Sequence, residues 1–427
     1  MIVSAAAVAQ PRPLTLDEAV KLGLQRNSDL QRQLLLSLSA EQDRIIARSA
    51  ILPTVDFNAS IAGNRQGAGS VVVSGVQFAQ PTSNYSTTSA GLTLRQLIFD
   101  GGKWWNNISA ANLGFAASEA QVDEQRLQIT YLIEQRFYEL VRAQRQLQVF
   151  TEAATRSRDQ ANYTQRLFEG GRATQADVYA ARANRDNVEV TRLGQERNVE
   201  LARADLSAAI GLDPGTPLTV TEPQNMFAEP LQPPALEQAL QQALTNRPSL
   251  KAFLLTAESN RKTASATKGD YWPRLSASGF WQRATRDDFA KAVEAPGRDS
   301  QSGVSLNLTW NLFSGLSTQA NVRKAEIQVA LAENDLANGR RSVASDVEKA
   351  VAQLATARAQ VRVAQQAEQT AKEGLRLART RQEVGVGNQL EVRDAELKLT
   401  QAQLNVVGSL VDGREAEAAL RRAQGGT

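Results

Sequence analysis

Residues 304–312 read Val-Ser-Leu-Asn-Leu-Thr-Trp-Asn-Leu, with apolar residues at even positions and polar residues at odd positions. Side chains on a β-strand alternate between its faces, so this pattern predicts a strand with one apolar and one polar face. No proline occurs from Gly297 to Thr427. Because proline inside a helix costs about 3 kcal/mol, the same tract can also hold a very long helix after the strand.

The same plan occurs earlier in the chain, where residues 82–213 contain no proline and residues 54–61 alternate in polarity. Two partner strands are predicted at 86–99 and 274–283, each near the length of a tilted membrane-spanning strand. Long helices are predicted at 103–167 and 316–382. Glycines end each of them, and shorter helices are predicted to begin at about 175 and 389, after the capping residues Thr174 and Asn388.

An internal duplication relates the two tracts. Residues 16–30 align with 236–250, Pro53 with Pro273 at the same offset, and 97–101 with 311–315. We therefore predict a first repeat at 14–212, a Pro-rich linker without regular structure at 213–235, a second repeat at 236–422 and a C-terminal tail at 423–427. Residues 1–13 form an N-terminal tail, and Ala7-Val8-Ala9 indicates the remnant of a secretory signal whose start is clipped.

Composition argues against several classes of function. The 48 Lys and Arg residues nearly balance 45 Asp and Glu residues, and these charges are interspersed along the predicted helices, as on solvated helix faces. Nucleic-acid binding is therefore disfavoured. The sequence contains neither Cys nor His. Since these side chains are the usual nucleophiles, general bases and soft metal ligands, we predict no enzyme activity, no catalytic or metal site and no cofactor.

The sequence contains no run of about 18 apolar residues and so predicts no transmembrane helix. A membrane role for this chain would therefore use strands. All five tryptophans fall inside or beside the four predicted strands, as in the aromatic girdle of a lipid-facing barrel: Trp104, Trp105, Trp272, Trp281 and Trp310. A barrel is favoured over a soluble sandwich, and four strands cannot close a barrel alone, so oligomerisation is predicted. The alternative is a soluble or surface-associated antiparallel coiled-coil scaffold.

An ordered set of motifs carries a resemblance to a known family. The set comprises a strand running into Phe99-Asp100-Gly101-Gly102, a long helix, a glycine turn followed by Asp177-Val178, and a helix ending in Ile210-Gly211-Leu212. Over about residues 14–422 the chain resembles the TolC-type outer-membrane efflux proteins.

The resemblance implies a mixed α+β fold. In it, a homotrimer forms a twelve-stranded barrel in outer-membrane lipid, four strands per chain, and a helical barrel continues it across the periplasm. It also implies the exit duct of a tripartite efflux or type I secretion system. The partners would be a periplasmic adaptor (membrane fusion protein) and an inner-membrane transporter of the RND or ABC type.

The resemblance also implies functional positions. It places pore-constricting carboxylates at Glu391 and Asp394, with Asp177 as their counterpart in the first half. Their i,i+3 spacing puts Glu391 and Asp394 on one helix face, where a trimer would present six acids; two ordinary solvated acids are the alternative. Adaptor docking is expected at the two helix turns, at Gly170, Gly171, Arg172, Thr174, Gly385, Gly387 and Asn388.

One departure from the family concerns the closed state. An aromatic and a basic residue that latch the closed end in the family correspond here to Gln382 and Gly387, so other contacts are expected to hold it.

Overall fold

The fold is known from a computed structural model, in which the structure describes residues 13–213, 215, 216, 218–223, 226, 228–288 and 297–426. The described elements follow in this order: β1 Pro13–Leu14, α1 Leu16–Arg26, α2 Ser28–Ser49, β2 Thr54–Gln66, β3 Gly69–Val73, β4 Val76–Gln80, β5 Ser83–Phe99, α3 Lys103–Glu169, α4 Gln175–Ile210, β6 Thr219–Val220, α5 Leu236–Asn246, α6 Pro248–Lys268, β7 Arg274–Asp288, β8 Gly297–Thr309, α7 Ser317–Glu383 and α8 Gln389–Gln424. The predicted secretory remnant Ala7-Val8-Ala9 lies outside the described residues.

The helices follow the prediction closely. α3 and α7 each contain 67 residues, and α4 and α8 each contain 36 residues and begin at the predicted positions. α7 begins at Ser317 and not at Leu316 as predicted, because Leu316 has φ 69°, in the left-handed region that an α-helix excludes. Among the described helices, none combines the length and hydropathy needed to cross a membrane.

The described residues form two compact units. We call the first the helical unit; it contains the described residues within Met1–Ser37, Glu119–Ala252 and Leu336–Thr427. The second, the sheet unit, contains those within Leu38–Ser118 and Phe253–Asp335.

The sheet unit is built around four antiparallel strands in the order β2-β5-β7-β8. Directly paired residues share a face, so the register places one set of large apolar side chains together, and all of these side chains are exposed: Val55, Phe57, Leu92, Leu94, Trp281, Val304, Leu306 and Leu308.

The opposite face of the sheet is largely polar and carries cross-strand bonds. The hydroxyls of Ser60 and Ser89 lie 2.8 Å apart, as do those of Ser278 and Ser305. Asp56 and Arg95 form an ion pair at 3.6 Å across β2 and β5. The predicted separation into an apolar and a polar face is therefore confirmed.

Strand lengths differ from the prediction at several ends. β5 begins at Ser83 and β7 extends to Asp288, both beyond the predicted limits. β8 ends at Thr309 and not at Leu312, and the next residue, Trp310, donates its indole N–H to the Tyr271 carbonyl at 3.1 Å. The chain therefore leaves the sheet three residues earlier than its alternating pattern suggests.

A β-hairpin that the sequence analysis did not predict lies between β2 and β5. β3 pairs antiparallel with β4 across the two residues Ser74 and Gly75, which have φ 51° and 86°. Two consecutive positive φ angles are typical of the tight turns that join paired strands. The Ser-Gly dipeptide between two apolar runs was the available signal for this hairpin.

The helical unit has two main cores. In the first, Ile133 and Phe137 of α3 pack with Leu206 and Ile210 of α4 and with Ala19 of α1.

The second core lies in the other half of the chain. Val347 and Leu354 of α7 pack there with Ala239 of α5 and Leu420 of α8. All of these side chains are buried, so apolar burial holds each long helix to a short helix and to its antiparallel partner.

Equivalent hydrogen bonds hold the short helices α1 and α5 to the ends of α4 and α8. The Asn27 amide, at the end of α1, donates to the Ala209 carbonyl in the last turn of α4 at 3.1 Å. Arg247, at the end of α5, donates to the Arg422 and Ala423 carbonyls in the last turn of α8 at 3.1 and 3.3 Å. Both bonds satisfy carbonyls that a helix end leaves without intrahelical partners.

The described part of the Pro-rich linker contains a short regular segment. β6 pairs in parallel with β1, with Pro13 opposite Thr219, which corrects the expectation that no regular structure occurs within 213–235. The linker is also held to α8, because the Leu231 N–H donates to Glu417 at 2.8 Å and Arg414 donates to the Ala228 carbonyl at 2.7 Å.

Candidate functional site

The turn between α7 and α8 forms as its sequence predicts. Gly385 has φ 81°, and the N–H groups of Val386 and Gly387 both donate to the Arg381 carbonyl, at 3.0 and 2.9 Å. These bonds satisfy the end of α7. Asn388 then caps α8, since its side-chain oxygen accepts from the Glu391 N–H at 2.9 Å.

The turn between α3 and α4 repeats this construction with a full capping box. Gly171 has φ 71°, and Thr174 caps α4. The Asp177 carboxylate accepts from the Thr174 N–H at 2.9 Å and from its hydroxyl at 2.7 Å. The Thr174 backbone bond, followed by the hydroxyl bond, lowers the pKa of Asp177. Asp177 therefore has a capping role, and its assignment to a pore remains a prediction.

The turn glycines are needed for different reasons. A Cβ on Gly171 would meet no atom within 4 Å, and one on Gly385 would meet only the Arg172 guanidinium, at 3.9 Å. Their positive φ angles, and not crowding, therefore favour glycine. A Cβ on Gly387 would lie 3.0 Å from the backbone of Arg381, so this glycine permits a close backbone approach.

The two predicted pore acids are exposed and each has a basic partner. The Glu391 carboxylate lies 3.4 Å from the Arg381 guanidinium at the end of α7. The Asp394 carboxylate lies 2.7 Å from the Lys398 ammonium, one turn further along α8. Glu391, Asp394 and Lys398 line one open groove between α7 and α8, with a volume of about 990 Å³. The two acids are thus brought to one groove, as their spacing predicts.

Small residues line much of this α7–α8 groove: Ala367, Ala371, Gly374, Ala378, Ala395 and Ala402. Arg362 lines the groove together with the acids and Lys398. The groove therefore combines small apolar side chains with a set of charged groups.

Several hydrogen bonds join the α7–α8 hairpin to the α3–α4 hairpin. The Gln160 amide of α3 donates to the Gln382 side chain at 3.4 Å, and the Gln389 amide donates to the Asp177 carbonyl at 3.4 Å. Arg156 of α3 donates to the Thr400 hydroxyl at 3.1 Å. Gln382 therefore makes a contact at the position where the resemblance places an aromatic latch residue in the family.

The tryptophans lie in the sheet unit, at or near the strands. Trp281 lies within β7, Trp310 directly follows β8, and Trp272 immediately precedes the proline before β7. Trp104 and Trp105 lie in the first turn of α3, with their rings edge to face at 5.4 Å. All except the half-buried Trp104 are exposed.

Sequence reasoning missed the basic partners of Glu391 and Asp394, the predicted pore acids. Lys398 stands four residues after Asp394, the spacing at which a carboxylate and an ammonium meet on a helix, so this signal was present. Arg381 reaches Glu391 only because the chain reverses direction between them, and no local spacing indicates such a contact.

Comparisons with known proteins identify the family of this chain. The family model described as "Outer membrane efflux protein" matches residues 19–212 and again 239–426. The chain therefore belongs to the outer membrane efflux protein family, a family of channel proteins, and its location is the bacterial outer membrane, extending into the periplasm.

Individual relatives agree with this membership. The chain is 24% identical over 399 residues to the outer membrane protein TolC of Vibrio cholerae, covering 92% of this chain and 87% of the relative. It is 25% identical over 354 residues to the outer membrane efflux protein BepC of Brucella suis, covering 81% and 74%. The fold matches the crystal structure of the outer membrane protein VceC from Vibrio cholerae with a TM-score of 0.78, 20% identity and 96% of each chain covered.

Proposed function

We propose that three copies of this chain form the exit duct of a tripartite efflux or type I secretion system. Their twelve strands close a barrel in outer-membrane lipid, and their helices continue it as a tunnel through the periplasm. The duct receives small molecules or proteins from an inner-membrane transporter of the RND or ABC type, through a periplasmic adaptor. This function suits the outer-membrane efflux family to which the chain belongs.

The observation that carries this proposal is the construction of the four-stranded sheet. Within the described part of the chain, the outer strands β2 and β8 each pair on one side only. An open edge is a template for further pairing, and closure into a barrel removes all edges. The face that bears Phe57, Leu306 and Leu308 is apolar and exposed, as the outside of a barrel in lipid requires. The tryptophans beside the strands would form its aromatic girdle.

The two halves of the chain support a repeated design for the duct. The long helices α3 and α7 have equal length, and so do α4 and α8. Asn27 and Arg247, which occupy aligned positions, make the same kind of bond to the last turn of the following hairpin. Three copies of a duplicated chain would give a ring of six similar hairpins, and a ring of this kind can enclose a tunnel.

The helix turns suit the docking of an adaptor. An added Cβ would meet no atom within 4 Å at Gly171 and only the Arg172 guanidinium, at 3.9 Å, at Gly385, so a partner could approach the backbone of both turns closely. The turn residues that would form this surface are Gly170, Gly171, Arg172, Thr174, Gly385, Gly387 and Asn388.

Trimer formation and conduction test the proposed duct. Cross-linking of the full chain in outer-membrane vesicles is expected to give a trimer that is extracted only by detergent. Reconstitution in planar lipid bilayers is expected to give discrete channel openings. A monomer released by plain buffer, without channel openings, would contradict the duct and favour a scaffold.

Replacing the turn glycines by valine should abolish export. Gly171→Val and Gly385→Val each place a β-branched residue at φ 71° or 81°, at a cost of at least about 1–2 kcal/mol to the turn. The changed turn should no longer fit the adaptor, whereas the sheet that joins the copies is untouched. Export assays and adaptor cross-linking measure the effect.

Gly194→Val is the matched control for the turn glycines, because Gly194 lies in the middle of α4, with nothing within 4 Å of an added Cβ. Trimer yield should be normal in all three variants, and export should fail only in the two turn variants. Normal adaptor cross-linking in Gly385→Val would argue against docking at the turns.

A further inference from the structure

We propose that Arg381 and Lys398 set the ion selectivity of this duct by neutralising the acids at its narrow end. The proposal rests on the proposed duct and on the pore position that the family resemblance implies for Glu391 and Asp394. In it, the constriction is lined by ion pairs and not by free carboxylates. Arg381 and Lys398 are thus specificity-determining residues for permeating ions.

Each of the two basic side chains forms an ion pair with a different acid. Arg381 lies in the last turn of α7 and reaches across the glycine turn to Glu391 at 3.4 Å. Lys398 lies on the same helix as Asp394 and meets it at 2.7 Å. These four side chains are all at least two-fifths exposed, so water and permeating ions can reach them.

The charges around the turn sum to zero. Residues 379–398 contain four basic side chains, Arg379, Arg381, Arg393 and Lys398, and four acidic ones, Glu383, Glu391, Asp394 and Glu396. Glu396 is itself paired with Arg379 at 2.9 Å. A trimer would therefore bring three neutral α7–α8 segments to the narrow end, and these segments add no net negative charge there.

Pairing changes what a permeating ion experiences. An isolated carboxylate attracts cations through a field that falls slowly with distance, whereas a carboxylate with an ammonium group about 3 Å away presents a dipole. The field of a dipole falls more steeply, and screening at physiological salt weakens it further. The paired constriction should discriminate weakly between cations and anions, and loss of either partner should create a strong preference.

Reversal potentials across planar bilayers under a KCl gradient test this proposal in the full-length protein. Arg381→Gln with Lys398→Gln leaves two uncompensated acids per chain, and the ratio of cation to anion permeability should rise several-fold. Glu391→Gln with Asp394→Gln should shift the ratio in the opposite direction. The variant with all four replacements should return close to the wild-type ratio.

Lys372→Gln is the matched control, because Lys372 pairs with Glu368 at the same i,i+4 spacing and the same 2.7 Å distance on α7. It should leave the permeability ratio unchanged. If the Arg381→Gln, Lys398→Gln variant keeps the wild-type ratio of cation to anion permeability, the selectivity proposal is overturned. Conduction by that variant would still support the duct. Wild-type protein that forms no channel at all would instead overturn the duct, and the selectivity proposal with it.

Discussion

Leu306→Asp is expected to block assembly of this protein in the outer membrane. Leu306 lies in β8 on the apolar face of the sheet and is 68% exposed in the single chain, so a barrel would place it against lipid. A charged side chain on the lipid face costs roughly 2 kcal/mol, and the cost recurs in each chain that closes the barrel. Fractionation of cells, followed by gel migration of unheated samples, measures the loss of trimer.

Asn307→Asp is the control for this experiment, because Asn307 occupies the next position in the same strand and faces the opposite side. Its amide donates to the hydroxyls of Ser278 and Ser305 at 3.3 and 3.4 Å, within the polar face. A carboxylate at this position can accept from the same hydroxyls and would face water. Leu308→Asp should repeat the effect of Leu306→Asp. Equal tolerance at positions 306 and 307 would exclude a lipid-facing barrel.

The helices and the faces of the strands could be predicted because local rules determine them. The absence of proline allowed two helices of 67 residues, and glycine followed by Thr174 or Asn388 ended one helix and began the next. The alternation of polarity in β8 correctly predicted which of its side chains lie on the apolar face and which on the polar face. Leu316 shows the limit of these rules, because no local signal indicates that a leucine adopts a left-handed conformation.

The order of strands and the charge partners could not be predicted in the same way. β5 pairs with β7, which comes from the other half of the chain, with Leu92 opposite Trp281. Such long-range pairing depends on the whole fold, and many registers would satisfy the same alternation. The contact of Arg381 with Glu391 depends likewise on the geometry of a turn. Lys398 could have been paired with Asp394 from their i,i+4 spacing, whereas the partner of Glu391 could not be found in this way.

Arg247→Ala is expected to lower the free energy of unfolding by about 3–5 kcal/mol, because it breaks a buried ion pair. Arg247 is 5% exposed, and its guanidinium lies 3.0 Å from the Glu124 carboxylate of α3. Burial alone would raise the pKa of Glu124, but hydrogen bonding and charge attraction from Arg247 outweigh it, and the pKa is lowered. The stabilisation is thus present above the ordinary pKa of a glutamate and is lost as the pH falls through the lowered value.

Thermal unfolding of the detergent-solubilised protein at neutral pH, followed by circular dichroism, measures this loss as a lower Tm. Arg261→Ala is the matched control, since Arg261 and Glu333 pair at 2.7 Å but are about half exposed, and such pairs contribute at most about 1 kcal/mol. Arg247→Met combined with Glu124→Leu should recover only part of the loss, because the carbonyls of Arg422 and Ala423 still lose the bonds that Arg247 donates. Equal effects of Arg247→Ala and Arg261→Ala would show that the buried pair does not hold α5 to α3 and α8.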